Sequence, residues 1–137
     1  MTMQVFFSSA QGRPMRSIVN GIHSSSWSPD HHLTVYRAGS PSIRLSLSEL
    51  QARVNRVAHW LVTIGLKPHD RIGILSSNRL EWILLDLAAL YVGVVTAGFE
   101  PEPFQGRDDL AATYNLRFLF HDRECAAARG AGCAAPG

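Results

Sequence analysis

The sequence predicts an α/β fold, a three-layer sandwich around a mainly parallel sheet. From residue 47 to residue 120, stretches with apolar residues at helical spacing alternate with short apolar runs that are typical of buried strands. Such alternation indicates parallel strands joined by right-handed helical crossovers. The composition agrees, because 46% of the 137 residues are hydrophobic and 18% are charged, as in an ordinary globular domain.

A β-hairpin opens the predicted domain. Apolar and polar residues alternate in LTVYR, residues 33–37, and again in SIRLSL after the turn AGSP. A period of two places the apolar side chains on one face of each strand. We therefore predict two antiparallel strands with one face in solvent.

The first predicted helix has a recognisable start and end. Ser48 with Gln51 matches the capping box, in which two side chains satisfy free backbone N–H groups. Gly65 suits the C-terminal cap. The apolar residues at helical spacing form the predicted buried stripe: Leu50, Val54, Val57, Leu61 and Ile64. Three polar residues fall off this stripe and are expected to face solvent rather than form a binding patch: Arg53, Arg56 and His59.

A second helix follows the short apolar strand RIGIL. Asn78 with Glu81 is the expected cap, and residues 80–92 are apolar nearly all round, which predicts a buried helix. For Asp86 we expect a structural partner, because no second acid or base accompanies it. A membrane span over residues 82–99 is the alternative, but a buried helix that ends near Gly93, followed by a strand, fits better.

The remaining elements are short. EPEPFQGRDD is predicted to be a loop, and Asp108 and Asp109 suit the first turn of a helix that ends near Asn115. LRFLF, residues 116–120, closes the pattern as a strand.

Three regions are predicted along the chain. Residues 1–32 are expected to form a flexible N-terminal arm, because they are rich in Ser, Gly and Pro without a sustained period; within it, His31 and His32 are expected at the surface. Residues 33–122 form the α/β subdomain. Residues 123–137 form an Ala/Gly-rich tail, for which a frayed helix, a disordered segment and out-of-frame translation of GC-rich DNA are alternatives.

Charge and cysteine content exclude several functions. The net charge of +2 is small and the basic residues are scattered, so no nucleic-acid partner is expected. Cys125 and Cys133 are expected to be free thiols rather than a zinc or redox site, and no signal peptide is visible. We therefore predict a cytoplasmic protein without a membrane span.

Two stretches resemble the start of the adenylate-forming (AMP-binding) enzymes. LSLSELQARVNRVAHWLVTIGLKPHDRIGIL is similar to the family's opening strand, its long helix and the strand after G-x-x-P-G-D-R-V. SSNRLEWILLDLAALYVGVVTAG is most similar to the long-chain fatty acyl-CoA ligases, in which S-x-N-R-x-E-W is typical. The resemblance covers residues 45–122 and implies a partial N-terminal subdomain of such an enzyme.

The sequence also departs from the family pattern. His69 stands where the family has Gly, and GFEPEPF replaces P-L-x-P in the loop that leads toward the acyl pocket. The Ser/Thr/Gly-rich ATP loop is missing, and so are the later catalytic motifs, for which Lys67 is no substitute. We therefore predict no catalytic, cofactor-binding or metal-binding residue and no cofactor in this chain, although the resemblance implies ATP and Mg²⁺ for the full-length family.

The sequence thus predicts an N-terminal fragment of an ATP-dependent acyl-adenylating ligase, similar to acyl-CoA synthetases of fatty acid metabolism and inactive alone. Whether the chain is itself an enzyme stays open, and its acyl substrate is not predicted. The expected partners are the remainder of a split ligase or a second copy of the chain. Two alternatives are a non-enzymatic α/β interaction module that binds a partner protein, and an unrelated small α/β protein with the same pattern.

Overall fold

Helices and strands follow one another in the predicted order, with one additional short helix after the fourth strand. The computed structural model describes residues 30–104 and 106–122. The elements are β1 (His32–Arg37), β2 (Ser40–Ser46), α1 (Leu47–Thr63), β3 (Arg71–Leu75), α2 (Leu80–Val92), β4 (Val95–Phe99), α3 (Pro101–Phe104), α4 (Leu110–Thr113) and β5 (Phe118–His121). Most of the predicted arm and the whole of the predicted tail, with both cysteines, lie outside the described residues, so the three-region division stays a prediction.

The central feature is a parallel sheet of three strands in the order β4-β3-β5. Leu75, at the end of β3, is in register with Phe99 of β4 and with His121 of β5. The predicted hairpin is confirmed, since β1 and β2 pair antiparallel. Its outer side chains are in solvent, and Tyr36 is 84% exposed.

The long helices α1 and α2 cover one face of the sheet. The buried cluster on this face consists of Leu50, Val54, Leu61, Leu66, Ile72, Ile74, Leu85, Ala88, Ala89, Val94 and Phe120. The stripe predicted for the first helix is confirmed, because three of its members are buried here and Val57 and Ile64 pack against them. Gly65 follows the helix with φ of 90°, which glycine adopts readily and which suits its predicted role in ending the helix.

The opposite face of the sheet is covered by α3, α4 and the turn after α4. Its buried cluster consists of Leu75, Phe99, Leu110 and Leu116. The ring centroid of Phe99 lies 5.1 Å from that of Phe104 and 5.0 Å from that of Tyr114. Helices therefore lie on both faces of the sheet, and the predicted three-layer α/β fold is confirmed.

The start of α1 differs from the prediction. Ser46, not Ser48, is the N-cap: its hydroxyl accepts a hydrogen bond from the backbone N–H of Glu49 (3.2 Å), and the Glu49 carboxylate accepts one from the backbone N–H of Ser46 (2.8 Å). The predicted box of Ser48 and Gln51 is wrong because β2 ends at Ser46, where the chain is still extended, and extended backbone is what a cap requires. Ser46 with Glu49 and Ser48 with Gln51 both have the spacing of a capping box. The first pair forms the cap because the hairpin ends at Ser46.

Two expectations for α2 are also wrong. The N-cap position is Arg79, which makes no side-chain capping bond, so the helix begins one residue later than predicted from Asn78 and Glu81. The helix is not buried all round, since Ile83 is 40% exposed and Leu90 is 46% exposed. The reason is that α2 packs against α1 and the sheet on one side, while among the described residues nothing covers its outer side.

Asp86 has the structural partner that was expected. Its Oδ1 accepts a hydrogen bond from the Thr96 hydroxyl (2.5 Å), which connects α2 to β4. The preference for a buried helix followed by a strand is also confirmed at this point, because α2 ends before Gly93, which has φ of 80°.

The short elements differ from the prediction at their ends. Residues 101–104, expected in a loop, form α3, and Pro101 suits the first position of a helix. The backbone N–H of Val94 bonds to Ala89 in α2, and that of Leu116 bonds to Ala111 in α4. Both residues therefore terminate helices, and β4 and β5 start later than predicted.

Asp109 occupies the N-cap position of α4, but its carboxylate makes no capping hydrogen bond to the backbone of the helix. It accepts hydrogen bonds from Arg107 Nε (2.9 Å) and from the Thr113 hydroxyl (3.1 Å). The hydrogen bonds from Arg107 lower the pKa of Asp109 to about 2. This carboxylate is therefore ionised at neutral pH and ties the loop to the short helix.

Candidate functional site

The carboxyl ends of the three parallel strands meet at one edge of the sheet, here called the carboxyl edge. Each strand is followed there by polar residues: Ser76, Ser77 and Asn78 after β3, Glu100 and Glu102 after β4, and Asp122 after β5. The shared register of Leu75, Phe99 and His121 places these residues together. In open α/β sheets ligands bind at this edge, so it is the candidate functional site.

Three polar side chains at the carboxyl edge are buried: Ser76, His121 and Asp122. The Ser76 hydroxyl lies 3.2 Å from Oδ2 of Asp122 and 3.0 Å from the backbone oxygen of Ser77. His121 Nδ1 lies 3.1 Å from the backbone oxygen of Asp122, while its Nε2 has no hydrogen-bond partner among the described residues. The cluster joins the ends of β3 and β5.

These three residues do not form a nucleophilic triad. In such a triad the imidazole accepts the proton of the serine hydroxyl and the carboxylate orients the imidazole. Here the Ser76 hydroxyl is hydrogen-bonded to the carboxylate, and His121 contacts a backbone oxygen. The arrangement can fix the strand ends relative to each other, but it does not place a base on the serine.

A cavity of about 240 Å³ opens beside this cluster. It is lined by Ser76, Ser77, Asn78, Trp82, Glu100, Pro101 and Glu102. The Trp82 indole packs directly on Gly98, because a Cβ built at Gly98 would lie 2.8 Å from Cζ2 of the ring. The close approach of strand and indole thus gives the cavity one apolar wall next to hydroxyl, amide and carboxylate groups.

The charge of this cavity does not suit a nucleoside triphosphate. Phosphates need convergent backbone N–H groups together with cations or metal ions, and the cavity lining offers two carboxylates and neither lysine nor arginine. Among residues 30–104 and 106–122, no group of three His, Cys, Asp or Glu side chains could hold a metal ion. The residues of this cavity therefore do not by themselves fit ATP and Mg²⁺.

Sequence reasoning assigned no residue to a site, so the carboxyl edge was missed as a cluster. A signal was available, because each short apolar strand is followed at once by polar residues. What the sequence does not give is the order of the strands, and only that order brings residues 76–78, 100–102 and 122 together. The loop GFEPEPF, noted as a departure, supplies three of the cavity's lining residues.

Fold and site together define the class of the protein. A three-stranded parallel sheet between helices, with polar residues at its carboxyl edge, is an open α/β unit of the kind that binds ligands at that edge. Residues 23–125 match the family model described as AMP-binding enzyme. The chain belongs to this family.

The relatives in sequence are acyl-CoA ligases. The chain is 35% identical over 60 residues to medium-chain acyl-CoA ligase ACSF2, mitochondrial, of Rattus norvegicus, a match over 44% of this chain and 10% of that protein. It is 46% identical over 46 residues to fatty acyl-CoA synthetase A of Dictyostelium discoideum, which covers 34% of this chain and 7% of that protein. The chain thus matches about a tenth of the length of these relatives.

The solved structures support the fold. The N-terminal subdomain of Klebsiella oxytoca NpsA superposes with a TM-score of 0.63 at 20% identity, over 77% of this chain and 26% of that chain. The fatty acid AMP ligase from Legionella pneumophila superposes with a TM-score of 0.58 at 18% identity, over 66% of this chain and 16% of that chain. The expected resemblance to the N-terminal part of an adenylate-forming enzyme is confirmed.

The membrane alternative was tested on the same described residues. None of their helices has the length and apolar character needed to cross a membrane.

Proposed function

We propose that this chain forms the N-terminal α/β unit of an ATP-dependent ligase that adenylates a fatty acid and passes the acyl group to a thiol. The observation that carries the proposal is the family match over residues 23–125. Its relatives are named as medium-chain and long-chain fatty acyl-CoA ligases, which supports a fatty acid as the substrate class. The chain length of that acid is left open.

Within this unit, the carboxyl-edge cavity is the part that we expect to lie near the substrate. Trp82 and Pro101 supply apolar surface, and the segment GFEPEPF, which contains Glu100 and Glu102, replaces the family's P-L-x-P loop. In a complete enzyme, Trp82→Ala should therefore shift the preference among acyl chain lengths without abolishing adenylation. An unchanged preference among acyl chain lengths would show that the cavity does not contact the acyl substrate.

Adenylation by the 137 residues alone is not expected. Most of the rate in phosphoryl chemistry comes from positioning the phosphates and stabilising their charge, and the cavity carries negative charge instead. We propose that the Ser/Thr/Gly-rich ATP loop, the metal ligands and the C-terminal lysine of the family come from polypeptide outside these residues. That polypeptide is either a continuation of the same chain or a separate partner.

ATP–pyrophosphate exchange with medium-chain and long-chain fatty acids tests the proposal. The purified 137-residue chain should give the same rate as buffer. A mixture with a second polypeptide that carries the remaining parts of a related ligase should give exchange, while that second polypeptide alone should not. Exchange by the 137-residue chain alone, abolished by a substitution within it, would overturn the proposed dependence on further polypeptide.

A second function, a non-enzymatic module that binds a partner protein, is favoured by the exposed apolar residues Ile83 and Leu90 on α2. The neighbouring DNA separates the two functions. A reading frame that begins near the missing ATP loop supports the ligase, and an unrelated intact neighbour supports the binding module.

We also propose a cytoplasmic location, because the spacing of the two cysteines predicts free thiols. The rat relative is mitochondrial by name, so fractionation of the cells that express the chain is informative. Recovery in an organelle would contradict the cytoplasmic location and leave the ligase proposal intact.

A further inference from the structure

A larger cavity lies at the opposite, amino edge of the sheet, where β3 and β5 begin. It measures about 370 Å³ and is lined by His69, Asp70, Arg71, Asn115, Leu116 and Arg117. The backbone N–H of Arg117 donates to the oxygen of Arg71 (2.7 Å), which joins the two lining segments. His69, Arg71, Asn115 and Arg117 are exposed, so this cavity is an open depression at the surface.

Cationic side chains outnumber anionic ones in this amino-edge cavity. Arg117 Nη1 lies 3.2 Å from Oδ2 of Asp70, and the same carboxylate oxygen accepts a hydrogen bond from the backbone N–H of Lys67 (2.8 Å). The side chain of Arg71 and the imidazole of His69 make no hydrogen bond or ion pair with other described residues. The cavity therefore presents two guanidinium groups against one carboxylate that is already in use.

The backbone of this cavity is left-handed at two positions. His69 has φ of 72° and Asn115 has φ of 51°, and these are the non-glycine residues with positive φ in the described part of the chain. Both line the same cavity. Asparagine adopts this conformation readily, and Asn115 has it because it follows the end of α4. For a histidine the left-handed backbone is unfavourable, and such strain is often found at binding sites. A glycine at position 69 would not have this strain. In this chain the position is instead occupied by a histidine that lines the cavity.

We propose that the amino-edge cavity binds a small oxyanion, the phosphate group of a small molecule or inorganic phosphate. The guanidinium groups of Arg71 and Arg117 bind its oxygens, and the imidazole of His69 and the carboxamide of Asn115 donate further hydrogen bonds. Guanidinium groups suit this role because their planar set of N–H donors matches two phosphate oxygens at once.

The composition of the lining argues for a small anion rather than a polymer. It contains no aromatic side chain on which a nucleobase could stack, and such stacking is a main source of affinity for single strands. Arg71, Arg117 and Asp70 together carry a formal charge of +1, which balances part of one phosphate. The site lies at the sheet edge opposite the carboxyl-edge cavity and does not depend on the proposed adenylation.

Phosphate binding by the full 137-residue chain tests this inference. Inorganic phosphate and glycerol phosphate are titrated separately at constant ionic strength, by calorimetry and by the amide NMR signals of residues 69, 115 and 117. A free anion site takes both ligands, whereas preference for glycerol phosphate shows that the ester part contributes. Arg71→Gln and Arg117→Gln should each weaken binding about tenfold or more, as loss of a hydrogen bond to a charged group does.

Two further variants sharpen the result. Asp70→Asn removes the competing charge and should tighten phosphate binding, while the matched control Arg56→Gln, on the exposed face of α1, should leave it unchanged. Circular dichroism checks whether the two Arg→Gln variants fold. If either is unfolded, the phosphate affinity of Asp70→Asn provides the test instead. Absence of phosphate-dependent shifts at millimolar phosphate, or equal binding by the control and the cavity variants, would overturn the proposal.

Discussion

At the scale of single residues, His69 adopts a left-handed turn conformation that is unfavourable for a residue with a Cβ. The family has glycine at this position, and the left-handed φ of 72° is the conformation that glycine adopts freely. The backbone N–H of His69 donates to the oxygen of Gly93 (2.8 Å), which holds the turn against the end of α2. The turn therefore has glycine-like backbone geometry although a histidine stands at position 69.

His69→Gly should therefore stabilise the protein by about 0.5–1 kcal/mol, because relief of the left-handed strain exceeds the extra entropy that glycine gives the unfolded chain. Urea unfolding measures the difference. His69→Ala is the control, since alanine keeps the strain and should give no gain. Equal stability of the Gly and Ala variants would show that the strain is not the cause.

At the scale of elements, α1 shows that tertiary context selects among equivalent local motifs. Both Ser46 with Glu49 and Ser48 with Gln51 have the spacing of a capping box. Only Ser46 terminates a strand, so only Ser46 has the extended backbone and the free N–H that the motif uses.

The two serines can be separated by matched substitutions. Ser46→Ala should destabilise the protein by about 1 kcal/mol, because the N–H of Glu49 loses its acceptor. Ser48→Ala should cost less, since within the described residues its hydroxyl is hydrogen-bonded only to the hydroxyl of Ser46. Thermal unfolding of both variants checks the assignment, and a larger loss for Ser48→Ala would restore the cap predicted from sequence.

Glu49 gives the same cap a pH dependence. Its hydrogen bond from the backbone N–H of Ser46 lowers the pKa of the carboxyl below the usual 4.5. A carboxyl with a lowered pKa stabilises the fold above its unfolded-state pKa, and this contribution is lost as the pH falls through the folded-state pKa. The stability difference between the parent and Glu49→Ala should therefore be full at pH 7 and shrink in acid. A difference that is constant from pH 7 to pH 3 would contradict this role.

At the scale of the whole molecule, the sheet has two unpaired edges within the described residues. β3 pairs on both sides, whereas β4 and β5 pair only with β3. Val95 of β4 is 51% exposed, and the outer side of α2 exposes Ile83 and Leu90. Unpaired edges and exposed apolar residues favour association with another chain.

We predict that the isolated chain associates in a concentration-dependent manner and binds a hydrophobic dye. Val95→Lys should reduce association, because a charge on an edge strand opposes strand pairing. The control is Val62→Lys, which changes a similarly exposed residue (57%) on α1, away from the sheet edge. Sedimentation of the three proteins checks the prediction, and a monodisperse parent without dye binding would contradict it.

The amino-acid sequence by itself determined the class of fold, the family and the order of the elements apart from the short helix α3. These follow from local information: the helical stripe from Leu50 to Ile64, the apolar strand RIGIL, and Gly65 and Gly93 after the helices. Each acts over a few residues, so it can be read along the chain.

Tertiary structure alone decided which serine caps α1, which side of α2 stays exposed, and which residues meet at the two sheet edges. The strand order β4-β3-β5 brings Ser76 to Asp122 across 46 positions and Arg117 to Asp70 across 47. Contacts at such separations depend on how strands pair, and strand pairing is set by packing on both faces of the sheet rather than by neighbours in sequence. For that reason neither cavity could be predicted from the sequence, although most of the residues that line them lie in or beside a predicted strand.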